Sequence, residues 1–190
     1  MSDELLIRFC SPTLAGIKTG SLFMTDKSDD STFGKIRELN NILTKHGLRL
    51  IPLRKNNKGI LVYLYRPDRL NRDLKCPQAM AILECKGYPC GNTDRCIMHL
   101  IDRLVQDEAF PHEIGLFLGY PPEDVKGFME DPSKGVKCIG CWKVYGDVSR
   151  ANELFERYRK CEAAYCRELK QGKSLESLIV DTDRYIRSAQ

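Results

Sequence analysis

Residues 48–67, LRLIPLRKNNKGILVYLYRP, decide the fold class. Two β-prone runs, Leu48–Arg54 and Gly59–Arg66, flank the polar connection Lys55-Asn56-Asn57-Lys58, which suits a hairpin. Val62 and Leu64 alternate with Tyr63 and Tyr65, so one face of the second strand is aliphatic and the other aromatic, and both are expected to be covered. Upstream, Phe33, Ile36, Leu39 and Leu43 recur at helical spacing between a capping Ser31 and a terminating His46-Gly47, with His46 placed to meet the last carbonyls. Before that helix, Ser21–Thr25 reads as a short strand and 26–31 as a polar turn. Strand, helix and strand in this order suit a right-handed crossover, which makes strands 21–25 and 48–54 parallel and 59–66 antiparallel to them.

Working outward, Asp3–Cys10 has helical spacing, and Ser11-Pro12 reads as the cap and first residue of a second short helix. Pro67 opens a further helix, Cys76-Pro77 restarts another that Gly87 ends, and residues 94–106 form a third, with the stripe Ile97, Leu100, Ile101, Leu104 and Val105. On that helix His99 points away from the stripe, toward solvent. Residues 142–146 are a fourth strand candidate, and Arg150–Gln171 is a long closing helix. The expected architecture is therefore α+β: a small mixed sheet of three to four strands (21–25, 48–54, 59–66, 142–146) covered by helices. The chain reads as one globular domain over 1–190, with a frayed tail after about 181.

Composition excludes some function classes. With 190 residues, 42% of them hydrophobic, the chain is long enough for one well-buried core. Its net charge of +4 is spread along the sequence, too weak a signal for a nucleic-acid partner. The longest apolar run, Ile60–Tyr65, is far short of the ~20 residues of a membrane span. The N-terminus MSDELLIRFC begins acidic, unlike an export signal, so a cytoplasmic location is expected, with no membrane partner.

Nine cysteines are many for this length, and without an export signal they read as reduced thiols used for packing, metal binding or redox chemistry. Cys138 and Cys141 form a CxxC with Gly140 inside, a spacing that metal knuckles and dithiols share. A strand follows it where a thioredoxin-like site needs a helix. Zinc or an iron–sulfur cluster needs two more ligands, for which Cys85, Cys90, Cys96 and His112 are candidates. Cys90 and Cys96 meet only if their loop folds back over the first helical turn. Cys10, just before the expected second helix start, is placed either to be a thiolate stabilised by backbone amides or to fill a tight corner.

Residues 110–128, FPHEIGLFLGYPPEDVKGF, carry the remaining chemical signal. As a helix over Pro111–Leu118, they gather Phe110, Ile114, Phe117 and Leu118 on one side and align His112 with Gly115 and Gly119 on the other. Such a bare strip beside an imidazole admits a close neighbour, either a ligand or another segment; alternatively Gly119 is a left-handed cap and His112 a surface residue.

The strings FCSPTLAGIKTGSLF, LVYLYRP, FPHEIGLFLGYPPEDVKGF and CWKVYGD, in this order and at these intervals, resemble a family of anaerobic bacteria, domain of unknown function 3793. The resemblance covers nearly the whole chain and implies a stand-alone cytosolic protein of an oxygen-avoiding cell. It lends no catalytic residues.

Three functions follow as expectations. The first is a binding or redox protein holding zinc or an iron–sulfur cluster through Cys138 and Cys141, or a planar cofactor such as haem or flavin beside His112, Gly115 and Gly119. The second is a thiol enzyme, a hydrolase or transferase, with Cys10 as nucleophile, His112 as base and Glu113 or Glu123 orienting it. The third is a scaffold for a protein partner, with its cysteines in the core.

Overall fold

A computed structural model of the chain describes residues 2–25, 30–106 and 109–181. The tail expected beyond about 181 and most of the turn at 26–31 lie outside the described residues. The fold is α+β: a three-stranded antiparallel sheet, a separate two-stranded hairpin, and helices that include a 23-residue one near the C-terminus. Two compact units divide it, Met1–Asp68 with Tyr158–Gln190, and Arg69–Arg157. No described helix is long and apolar enough to cross a membrane.

The first unit is built on the hairpin. β2 (Arg49–Asn56) and β3 (Gly59–Tyr65) pair antiparallel as expected, and β1 (Gly20–Met24) pairs antiparallel along the other edge of β3. The order β1-β3-β2 leaves β1 and β2 parallel to one another without being neighbours, with α2 (Asp30–Leu43) between them in sequence. Both faces of β3 are buried, the aromatic one by a stacked pair, Tyr63 and Tyr65, with ring centroids 4.7 Å apart.

α1 (Asp3–Leu14) corrects the expected break at Ser11-Pro12, because the helix runs through the proline. Ser11 donates its hydroxyl to the Ile7 carbonyl, and the last turn is held from outside by Arg66. The Arg66 guanidinium donates to the carbonyls of Thr13 at 2.8 Å, Leu14 at 2.7 Å and Val180 at 2.7 Å. A cation bonded to the last carbonyls offsets both their unmet acceptors and the negative end of the helix dipole. Leu6, Ile7, Cys10 and Leu14 of α1 join Phe23, Leu50, Val62 and Leu64 of the sheet in one core. His46 reaches two carboxylates: its Nδ1 lies 2.5 Å from Asp181 Oδ1 and its Nε2 3.8 Å from Glu176 Oε1.

α3 (Pro67–Leu74) follows β3 in the sequence, and the second unit carries α4 (Pro77–Cys85), α5 (Thr93–Gln106), the single-turn α6 (Ile114–Phe117) and α7 (Pro122–Glu130). The expected fourth strand is β5 (Lys143–Val144), which pairs with β4 (Cys138–Ile139) in a hairpin of its own. α8 (Val148–Lys170) follows, with Asp147 rather than Ser149 accepting from the Arg150 amide at 3.1 Å. The α5 stripe is buried at Ile97, Leu100 and Leu104, whereas Val105 is 65% exposed. His99, expected in solvent, is half-buried, edge-on to Tyr88 with ring centroids 4.4 Å apart.

Candidate functional site

His112 precedes α6 rather than lying on a helix through Pro111–Leu118, because the helical segment is only Ile114–Phe117. The imidazole is exposed and packs edge-on to Phe128 of α7, with centroids 4.9 Å apart. The bare position beside it is occupied by the chain itself. A Cβ on Gly115 would lie 2.8 Å from Val125 and 3.1 Å from Tyr120, so the glycine lets α7 approach α6. Gly119 has φ 77, the left-handed cap after α6.

The CxxC hairpin reaches the same place. His112, Gly115, Tyr120, Phe128, Cys141 and Lys143 are among the residues lining a cavity of about 230 Å³, with Trp142 as a further wall. Tyr120 stacks on Trp142 at 4.6 Å, and Lys143 Nζ lies 5.6 Å from the Phe128 ring centroid while donating to the Pro132 carbonyl at 2.7 Å. The walls are therefore largely aromatic and aliphatic, with an imidazole, a thiol, an ammonium and the Asp124 carboxylate among them.

One buried carboxylate holds this wall in position. Asp124 Oδ2 accepts from Trp142 Nε1 at 2.7 Å, and Oδ1 accepts from the amides of Tyr145 at 2.8 Å and Gly146 at 2.7 Å. Three donors on one carboxylate make its burial affordable and tie the start of α7 to the hairpin. Gly140 serves the same packing. A Cβ there would run into the Phe155 ring of α8, so its place in the CxxC reflects close approach of that ring. Sequence reasoning passed over Asp124, Trp142 and Phe128; the one signal for them was two aromatic-rich strings separated by a short connection.

Glu113, expected to orient His112, is turned to other partners. It is buried and accepts from Arg103 Nη1 and from the Tyr88 hydroxyl at 2.9 Å. Burial and the adjacent Glu113 carboxylate push the Tyr88 hydroxyl pKa up, keeping it a donor. Cys10 is fully buried inside α1, in the first unit, whereas His112 is in the second. With no helix start at Ser11, the amides expected to favour a thiolate are engaged in α1, and burial pushes the Cys10 thiol up to about 12.

The metal candidates are dispersed. Cys85 is exposed in a groove between α4 and α7, Cys138 is half-buried with its thiol 3.7 Å from Asn152 Oδ1, and Cys141 faces the His112 cavity. Cys90 and Cys96 line a different cavity. Among the described residues no three His, Cys, Asp or Glu side chains form a group that could hold a metal ion, so the residues present do not fit a zinc or iron–sulfur centre within one chain.

The model of a family described as "Protein of unknown function (DUF3793)" matches residues 6–179. The chain belongs to this family. No curated protein and no solved structure matches it. The DUF3793 match spans both units, and so covers Arg66 and the α1 end that it caps as well as Asp124 and the hairpin that it holds.

Proposed function

We propose that this DUF3793 chain is a cytosolic cofactor-binding protein whose site is the aromatic cavity beside His112, and that it takes the planar heteroaromatic ring of a redox cofactor such as a flavin. The supporting observation is that His112, Cys141 and Lys143 sit at a cavity otherwise walled by Tyr120, Phe128, Trp142, aliphatic side chains and the Asp124 carboxylate, whose oxygens are already engaged by the hairpin. Ring faces favour a flat ligand, and the few polar groups are what would orient it. A volume of about 230 Å³ lies below the roughly 300–1,000 Å³ of usual ligand sites, which favours the entry of one ring system over a whole haem. Nine free thiols fit a reducing compartment.

The chain's single tryptophan is in the cavity wall, so its emission reports occupancy directly. Titration with lumiflavin, the bare ring system of a flavin, is expected to quench Trp142 saturably, with the affinity lowered about tenfold or more in Phe128→Ala. Absence of saturable quenching by lumiflavin and flavin mononucleotide overturns the flavin assignment and favours a partner-binding scaffold.

A further inference from the structure

Three sulfur-bearing residues outside the His112 cavity line a second one. Met80 of α4, Cys90 of the following loop and Cys96 in the first turn of α5 all line a cavity of about 230 Å³. The loop has folded back over that turn: Cys96 donates to the Pro89 carbonyl at 3.6 Å, and Cys90 donates to the Met80 carbonyl at 3.8 Å. Leu74 and Leu83 make further walls apolar, and Lys75 brings a cation to the rim. Among the described residues no carboxylate or imidazole lines the cavity.

We propose that this cavity is a soft-metal site that binds one monovalent copper ion through the thiolates of Cys90 and Cys96 and the thioether of Met80. The donor set carries the choice of ion. Calcium, magnesium and manganese need oxygen ligands, and structural zinc needs four ligands of thiolate, imidazole or carboxylate type. Monovalent copper is soft and accepts thiolate together with thioether sulfur. On binding, two S–H bonds break, two copper–thiolate bonds form, and both protons pass to solvent; nothing is oxidised or reduced. The bound centre then carries one negative charge, which Lys75 offsets. Both thiols give up their bonds to backbone carbonyls in the process. This site is separate from the cofactor cavity and stands or falls independently of it.

The test is an anaerobic titration of the reduced full chain with monovalent copper, using bathocuproine disulfonate as competing chelator. One ion per chain is expected, and the same result is expected in Cys85→Ser with Cys138→Ser. Cys90→Ser and Cys96→Ser should each weaken binding by about 100-fold and Met80→Leu by about tenfold. Leucine for methionine keeps the core volume, so that variant tests the site even if a serine variant misfolds. Wild-type affinity in Met80→Leu, or copper uptake that depends on Cys138 rather than Cys90, overturns the assignment. So does equally tight uptake of zinc at the same cysteines. Trp142 emission, the reporter for the cofactor cavity, keeps the two proposals' outcomes apart.

Discussion

Asp124 has a negative charge, a buried position and three donors, and that combination sets what it can be exchanged for. Asparagine keeps the shape, but one of its two terminal atoms is itself a donor and faces an N–H. Asp124→Asn is therefore expected to cost about 2–3 kcal/mol, since hydrogen bonds to a charged group are the stronger kind and an unmet buried donor is costly. Urea unfolding followed by Trp142 emission measures this; a cost under about 0.5 kcal/mol would show the clamp to be incidental. Cys10 makes a pH-dependent contribution of definite sign. Burial raises its pKa from 9.0 to about 12, so the neutral thiol is favoured in the folded state. The stability gained is complete below about pH 9 and is lost as pH climbs toward about 12. Cys10→Ala should flatten the loss of stability with pH across that window, and an unchanged alkaline slope would contradict the burial of this thiol.

The β4–β5 hairpin is held as an element by contacts from two helices: Asp124 of α7 bonds Trp142 between its strands and the Tyr145 and Gly146 amides just after the second one, and Phe155 of α8 lies against Gly140. Neither strand exceeds two residues, and so short a hairpin is not stable by itself. Gly140→Ala forces a methyl into the Phe155 ring and is expected to cost about 2 kcal/mol and shift Trp142 emission. Adding Phe155→Ala should make the double variant's cost smaller than the sum of the two singles; strict additivity would remove Phe155 as the cause. At this scale the sequence was legible where periodicity is strong, as in α5, β2 and β3. It misled where tertiary partners override a local rule. Proline at position 12 read as a helix start, yet Arg66, more than fifty residues away, holds the end of a helix that continues through it. The Pro111–Leu118 pattern shortened to one turn in the structure, leaving His112 outside the helix.

For the whole molecule, thiol accessibility separates nine cysteines that composition treats alike. Native-state labelling with iodoacetamide, read by mass spectrometry, should modify Cys85 and Cys141 first and leave Cys10 and Cys96 for unfolding. Labelling of Cys10 as fast as Cys141 would contradict the packing of α1 against the sheet. The α+β class, the hairpin and the closing helix were determined by the sequence alone, because each rests on periodicity or run length within a short window. Only the tertiary structure decided which chemical groups meet: that Cys141 shares a cavity with His112, that Glu113 belongs to Arg103 and Tyr88, and that Cys90, Cys96 and Met80 line one cavity. Those meetings depend on how loops fold back and how helices pack on a hairpin, and contacts between residues distant in sequence leave no period within any one segment.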